Sequence, residues 1–295
     1  NGHGFHRPWL MCLLLCAWRA HPDLGLIVAA NRDEYHQRPT APAAWWPPDE
    51  QIAGGRDLQG GGSWLALHRA GRFAALTNVR GSPVPAGAPS RGGLVAGFLQ
   101  GGLSCEDYAQ QVLAACTEYA GFNLLLGDLG LAGHPAGLHH LSNMPMPRHE
   151  VLPPGMYAMS NGALDEPWPK LQRAKARFME IVRHPGPPLP AHLRLDALGL
   201  VSLLRDDAVA PDHQLPTTGV PLHWERLLSA IFVKGPTYGT RCTTIAALGK
   251  SGGGVMCELS YDPQGQGNDQ VSLGWRLESL CPEVHCHGPW REAST

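Results

Sequence analysis

Cys12-Leu13-Leu14-Leu15-Cys16-Ala17-Trp18 and Leu26-Ile27-Val28-Ala29-Ala30-Asn31 are two apolar runs broken by His21-Pro22-Asp23. Two short runs flanking such a break read as a β-hairpin. With the turn centred near Pro22, cross-strand pairing puts Cys12 opposite residue 31, 32 or 33. Paired strands lie about 4.8 Å apart, so the thiol is expected beside Asn31-Arg32-Asp33-Glu34. A nucleophile and four polar residues then meet at one end of an otherwise apolar ribbon.

Ahead of the hairpin, His6 and Arg7 followed by the run Trp9 to Trp18 imitate a secretory signal. That run is too short to span a bilayer, and Arg19-Ala20-His21 makes a poor cleavage site. A buried strand is the plainer reading. Residues 1–10 are read as a leader or a misplaced start, with Met11 as initiator.

Further along, Ser63–His68 and Arg72–Val79 form a second hairpin around Arg69-Ala70-Gly71. A helix is expected from near Ser90, and a second from Ser104, where Ser104 and Asp107 resemble a capping box. Phe122–Leu126 and Met156–Ser160 read as strands. Trp168–Val182 reads as an amphipathic helix, with Leu171, Ala174, Phe178, Ile181 and Val182 inward and Lys170, Arg173, Lys175 and Arg177 mostly outward. After a Pro-rich loop at His184–Pro190 come short helices at Leu195–Leu204 and Trp224–Phe232. Strands at Tyr238–Ala247, Val255–Tyr261 and Val271–Leu277 finish a single domain spanning 11–280, and 281–295 is expected to be a flexible tail. Hairpins in place of βαβ units favour antiparallel sheets with helices on their outer faces, an α+β class.

The chain carries 295 residues, 23 basic against 25 acidic, a balance that argues against nucleic acid or an anionic membrane as partner. No integral membrane segment is expected. Eight cysteines occur without a C-x-x-C pair, so reduced thiols in a cytoplasm are the default. Cys281, His285, Cys286 and His287 lack a matching second pair, and no metal site is expected. His139-His140 read as strand residues without chemical consequence. Trp45-Trp46 either line a pocket mouth or pack a loop on the core.

Five motifs occur in order: Met11-Cys12, Asn31-Arg32-Asp33-Glu34, Leu76-Thr77-Asn78-Val79-Arg80, Ser160-Asn161-Gly162 and Tyr238-Gly239-Thr240-Arg241. Together they resemble the NRDE family, also called the transport and Golgi organisation protein 2 family, over roughly residues 11–280. The same skeleton is similar to the penicillin V acylase and bile salt hydrolase group of N-terminal nucleophile hydrolases. That resemblance implies a four-layer αββα sandwich and a catalytic set of Cys12, Arg32, Asp33, Asn78, Asn161 and Arg241. It implies substrate contacts from Asn31, Glu34, Trp64 and Arg80. No cofactor is required for such a hydrolase. Family members are also linked to haem, lipid and acyl-thioester handling, so a carrier that uses the cavity for a hydrophobic ligand is the alternative. Placement is expected to be cytoplasmic, with a mitochondrial or Golgi-associated one as the alternative if the chain is eukaryotic.

The early arginine and aspartate depart from the hydrolase spacing, because Arg32 and Asp33 are adjacent. Neighbouring side chains on a strand point to opposite faces. Either the strand ends by Asn31 or only one of the two faces Cys12. On plainer readings Arg32 and Asp33 form a structural ion pair, Asn78 and Asn161 are turn residues, and Cys12 is a buried small hydrophobe.

If Met11 is removed, the chemistry follows from the residue itself. A thiol with pKa near 8.5 is mostly protonated at pH 7, whereas an α-amine titrating at about 7.7–8.0 can serve as its base. Arg32 and Arg241 would favour the thiolate, Asp33 would orient the ammonium, and Asn78 and Asn161 would stabilise an oxyanion. The reaction class is hydrolysis of an amide or thioester of a small acylated metabolite through an acyl-cysteine.

Overall fold

A computed structural model describes residues 11–184 and 195–276. The expectations for residues 1–10, for the Pro-rich stretch after His184 and for the tail beyond 281 therefore lie outside the described residues.

The first hairpin forms as read. Strand β1 (Met11–Trp18) pairs antiparallel with β2 (Leu24–Tyr35), and Cys12 stands opposite Arg32. The strand does not end at Asn31 but continues four residues further. Strands β10 (Gly155–Met159), β11 (Tyr238–Gly249), β12 (Gly254–Tyr261) and β13 (Gly267–Trp275) complete a six-stranded sheet in the order β10-β1-β2-β11-β12-β13.

A seven-stranded antiparallel sheet packs against it, in sequence order from β3 to β9. Its members are β3 (Thr40–Trp45), β4 (Ile52–Asp57), β5 (Leu65–His68), β6 (Arg72–Asn78), β7 (Phe122–Asp128), β8 (Gly137–Ser142) and β9 (Arg148–Val151). β3, β4 and β9 carry no strand signal in the sequence, because Pro42, Gly54, Gly55 and the charged Arg148–Glu150 interrupt any apolar alternation. Trp45 ends β3 and packs edge-on against Trp275, while Trp46 donates to Gly54 O, so the pair braces the sheets.

Strict alternation along β1 and β2 separates two apolar layers. Leu14, Cys16, Trp18, Leu26, Val28 and Ala30 face the second sheet, where Leu65, Leu67, Phe73 and Leu125 meet them. Leu13, Leu15, Ala17, Ile27 and Ala29 face the opposite way, onto α3 (Pro169–Arg183) and α4 (Ala197–Leu204). Helices α1 (Gly92–Gln100) and α2 (Cys105–Ala114) cover the far side of the second sheet through Leu94, Phe98, Tyr108 and Val112. The result is the expected α+β four-layer αββα sandwich. Each fully buried Leu, Ile or Phe contributes about 1.5–3 kcal/mol, so these layers supply most of the driving force.

Two helices carry corrections. Lys170, expected on the outer face of α3, is 2% exposed. It precedes Ala174 and Phe178 at intervals of four, so it falls on the apolar stripe rather than opposite it. The helix expected over Trp224–Phe232 is the shorter α5 (Leu222–Leu227). There the Ser229 hydroxyl donates to Arg226 O and accepts from Ala210 N, and the freed chain delivers Ile231 O to the Asn31 amide. No helix among the described residues is long and apolar enough to cross a membrane.

Candidate active site

At the open end of the sandwich a cleft of about 290 Å³ has Cys12, Arg32, Asp33 and Glu34 among the residues that line it. Further walls come from Arg38, Asp57, Trp64, Asn78 and Arg91. Pairing of β1 with β2 accounts for the first group: Cys12 and its cross-strand partner Arg32 share the face that looks toward the second sheet. The thiol is pushed up to about 12, chiefly by burial and then by the Asp33 charge, while Arg32 and the Asp33 amide pull it back. With a peptide bond before Cys12, the thiol is therefore protonated at neutral pH.

Alternation holds to the end of β2, so Arg32 and Asp33 point to opposite faces. Arg32 lies over the Trp64 ring at 4.8 Å, donates to Thr40 Oγ1 at 3.1 Å, and reaches Glu34 at 3.5 Å and Asp57 at 3.9 Å. Its ion-pair partners are thus Glu34 and Asp57, not its neighbour Asp33. Trp64 can sit beneath it because residue 55 is glycine, where a Cβ would lie 2.1 Å from the indole. Arg38 binds Asp57 Oδ2 through Nε and Nη2 at 2.9 and 2.8 Å and approaches Glu34 at 3.4 Å. Burial raises Glu34 despite these arginines. Burial also works upward on Asp57, but the Arg38 and Gly60 hydrogen bonds outweigh it and hold that carboxyl below the ordinary range.

Asp33 turns its carboxylate toward the helix layer. Oδ1 accepts from Thr240 Oγ1 at 2.6 Å, and Oδ2 is buried without a hydrogen-bond partner. Across from it, the Nζ of Lys170 on α3 is also buried and without one. Burial raises the Asp33 carboxyl and lowers the Lys170 amine, and the mutual attraction of the two charges opposes both shifts. A β-bulge sets up the Thr240 contact, because Thr240 pairs with Asp33 and Cys242 with Arg32, leaving Arg241 as the extra residue. Arg241 spends its Nη1 on the carbonyls of Tyr35 and Arg38 and does not line the cleft.

The two asparagines divide their roles. Asn78, at the end of β6, lines the cleft and presents its backbone carbonyl to Asn161 Nδ2 at 2.8 Å. Asn161 is 1% exposed, and its Oδ1 accepts the Cys12 backbone N–H at 3.4 Å. The Ser160 hydroxyl lies 2.8 Å from Cys12 O and 3.0 Å from Asn161 Oδ1, while Thr77 Oγ1 donates to Ser160 O. Asn161 thereby fixes the nitrogen of Cys12 rather than the rim of the cleft.

Asn31 and Arg80 are not brought to the thiol. Asn31 Nδ2 donates to Leu204 O and Ile231 O at 2.8 and 2.9 Å, and its Oδ1 accepts from Thr243. Arg80 binds Glu225 at 2.6 Å and lies over Trp168, tying the end of β6 to α5. The residues missed from sequence are Arg38, Asp57, Arg91, Ser160, Lys170 and Thr240. Lys170 left a signal in its spacing to Ala174 and Phe178. Arg91 left none, since it stands in a Gly- and Ser-rich approach to α1.

Comparison with known proteins agrees with the motifs. The Transport and Golgi organisation 2 family model matches residues 11–263. The chain is 35% identical over 260 residues to the Transport and Golgi organization protein 2 homolog of Bos taurus, covering 85% of this chain and 93% of that one. It is 31% identical over 276 residues to Transport and Golgi organization protein 2 of Drosophila melanogaster, covering 88% and 96%. Among solved structures, a variant of conjugated bile acid hydrolase from Clostridium perfringens aligns at TM-score 0.42 and 12% identity, covering 89% and 92%. A Caenorhabditis elegans N-acylethanolamine-hydrolyzing acid amidase ortholog aligns at 0.41 and 10%, covering 81% and 93%. The chain belongs to the Transport and Golgi organisation 2 family.

Proposed function

We propose that this family member hydrolyses an amide or thioester of a small acylated metabolite, with Cys12 as nucleophile in a mature form that begins at that residue. One observation carries the reading. The thiol of Cys12 lies in a charged cleft, its nitrogen is held by Asn161, and the nearby Asp33 carboxylate has a buried oxygen with no partner. A buried polar atom without a partner costs about 1–3 kcal/mol, a cost that a newly exposed α-ammonium group would relieve.

In the reaction, the α-amine takes the thiol proton as Sγ attacks the acyl carbon. The oxyanion so formed is stabilised by the Asn78 amide and by Arg32. Collapse breaks the C–N or C–S bond, and the α-ammonium returns the proton to the leaving amine or thiolate. A water then gives a proton to the same amine, attacks the thioester carbon and releases the acid, and Cys12 leaves with that proton. Arg91 lends the cleft its preference. Its Nη1 donates to Gly121 O, and among the described residues no carboxylate lies in ion-pair range of it, so it favours a substrate with an anionic or strongly polar end.

The carrier alternative, with haem or a lipid in the cavity, draws less support. Cys12 is the single soft donor among the described lining residues, which include no His, Met or Tyr, and six charged side chains interrupt apolar walls such as Trp64, Leu76 and Val84. Protein prepared to start at Cys12 is compared with an N-terminally extended form by iodoacetamide alkylation across pH. The expected midpoint lies near 8 in the first, as set by the amine at about 7.7–8.0, and far higher in the second. Identical midpoints would overturn the hydrolase reading. Saturable haem or lipid binding in both forms, blind to the amine, would support the carrier.

A further inference from the structure

Behind the second sheet, on its helix-covered face and away from Cys12, three donor atoms converge from separate elements. Leu141 pairs with His149 and His139 with Val151, so the two histidines are diagonal neighbours on the same face of β8 and β9. Their rings stack at 17° with centroids 5.1 Å apart, and His139 Nδ1 lies 2.8 Å from His149 Nε2. Above them Glu106, in the first turn of α2, brings Oε2 to 3.7 Å from His139 Nδ1 and 3.9 Å from His149 Nε2.

We propose that Glu106, His139 and His149 bind a divalent transition-metal ion of the Zn(II) type. All three donor atoms lie within 4.8 Å of one another. Metal–ligand bonds of about 2.0–2.1 Å at tetrahedral angles require donor separations of about 3.3–3.4 Å, a value the three observed spacings bracket. Opening the two imidazoles by about half an ångström and closing the carboxylate by a similar amount completes the geometry. The imidazoles and the carboxylate match a borderline-soft cation better than Mg²⁺ or Ca²⁺, which favour oxygen donors throughout.

Two further features suit a bound ion. Glu106 Oε1 accepts from Gln110 Nε2 at 3.0 Å, which orients the carboxylate with Oε2 toward the rings. The histidines are mostly covered while the Glu106 side chain is 52% exposed, so an ion would keep a solvent-facing fourth position. A hydrogen bond between two neutral imidazoles accounts for the 2.8 Å contact alone. It does not account for a carboxylate oxygen placed toward both ring nitrogens. Since β9 is the last strand of its sheet, the ion would also staple a sheet edge to α2.

The test uses the full chain without an affinity tag, carrying Cys281→Ser and Cys286→Ser to remove competing tail thiolates. Metal-stripped protein is titrated with Co(II), read by visible absorption, and then with Zn(II). The expected result is one equivalent of Co(II) with the intense bands of a four- or five-coordinate site, displaced by Zn(II), and a higher melting temperature with Zn(II). Loss of an outer-shell partner alone weakens metal sites about 10–100-fold, so His149→Gln should weaken binding by about 100-fold or more. Glu106→Gln alters a largely exposed side chain, so it serves as the variant whose folding is not at issue, and it should lower affinity less. Absence of a Co(II) spectrum, or binding unchanged in the His139→Gln/His149→Gln double variant with native circular dichroism, would overturn the site.

Discussion

The two faces of β2 near its C-terminal end are built from the same kinds of residue and handle them differently. On the face toward the second sheet, Arg32 and Glu34 join Arg38 and Asp57 in a network where every charge has an opposite neighbour. On the face toward the helices, Asn31 is saturated by three hydrogen bonds, yet Asp33 and Lys170 each keep a buried polar atom unused. A paired network holds a shape. A buried carboxylate with one oxygen unused, whose charge is felt at the Cys12 thiol, holds a potential, and perturbed groups of this kind cluster where chemistry is done. On the proposed hydrolase reading, the first face shapes the cleft and the second serves the activation of Cys12.

The sharpest way to break that division is Cys12→Ala. It should abolish acyl-enzyme formation, seen by intact-mass analysis with an activated ester, and lower turnover by about 10³-fold or more. The urea midpoint should move by less than the equivalent of about 1 kcal/mol, because Cys12 is a partly exposed residue that lines the cleft and does not belong to the apolar core. A large loss of stability would make Cys12 a core residue after all. Asn31→Ala should do the reverse, since it strands two carbonyls and the Thr243 hydroxyl in the interior. A cost of about 2–4 kcal/mol in urea melts is expected, with cleft alkylation kinetics retained in the folded fraction.

Much of this was legible in the chain. The break at His21-Pro22-Asp23 narrowed the partner of Cys12 to residues 31–33, and alternation meant that Arg32 and Asp33 could not both face Cys12 if the strand ran past Asn31, as it does. What escaped was set by contacts distant in sequence. Arg241 reads as an inward catalytic arginine until the bulge beside Thr240 turns it toward the Tyr35 and Arg38 carbonyls. Asn31 belongs to the family's tetrapeptide, yet it serves Leu204 and Ile231, whose carbonyls become available only once α4 and α5 have ended. Lys170 was assigned outward by its charge, although its helical spacing already placed it with Ala174 and Phe178. The Glu106, His139 and His149 cluster spans a helix and two strands, so no local spacing announces it.

A milder test sharpens the account of the helix-facing pair through pH. Asp33 has a raised folded pKa, so above its ordinary value of 3.8 the folded state holds a proton that the unfolded chain has released. Stability therefore falls as pH rises through that window. Lys170 has a lowered folded pKa, so approaching its ordinary value of 10.5 from below the unfolded chain holds the extra proton, and stability rises with pH. Together the pair should produce a shallow minimum near neutrality in urea-melt stability. Asp33→Asn should flatten the acid limb and Lys170→Met the alkaline one. Limbs unchanged in both variants would mean that the two groups are solvated, and the stored potential would disappear with them.

The smallest expected effect concerns Arg91, the cleft cation bonded to a carbonyl instead of a carboxylate. If its charge is free to act on a ligand, the thiol of Cys12 should distinguish an anionic alkylating agent from a neutral one of the same size. Iodoacetate and iodoacetamide differ in little else, so their rate ratio isolates the field in the cleft. One charge acting over about 8–10 Å at an effective dielectric near 20 is worth about 2 kcal/mol before salt screening, and screening cuts this to about 1 kcal/mol, or about a fivefold ratio. Arg91→Gln keeps a donor for Gly121 O while removing the charge, and it should lower the iodoacetate rate about fivefold with little change for iodoacetamide. The difference should shrink as salt is raised. A ratio indifferent to the substitution would assign selectivity to the Arg32–Glu34–Arg38–Asp57 network, and the cleft would then prefer a neutral acyl group.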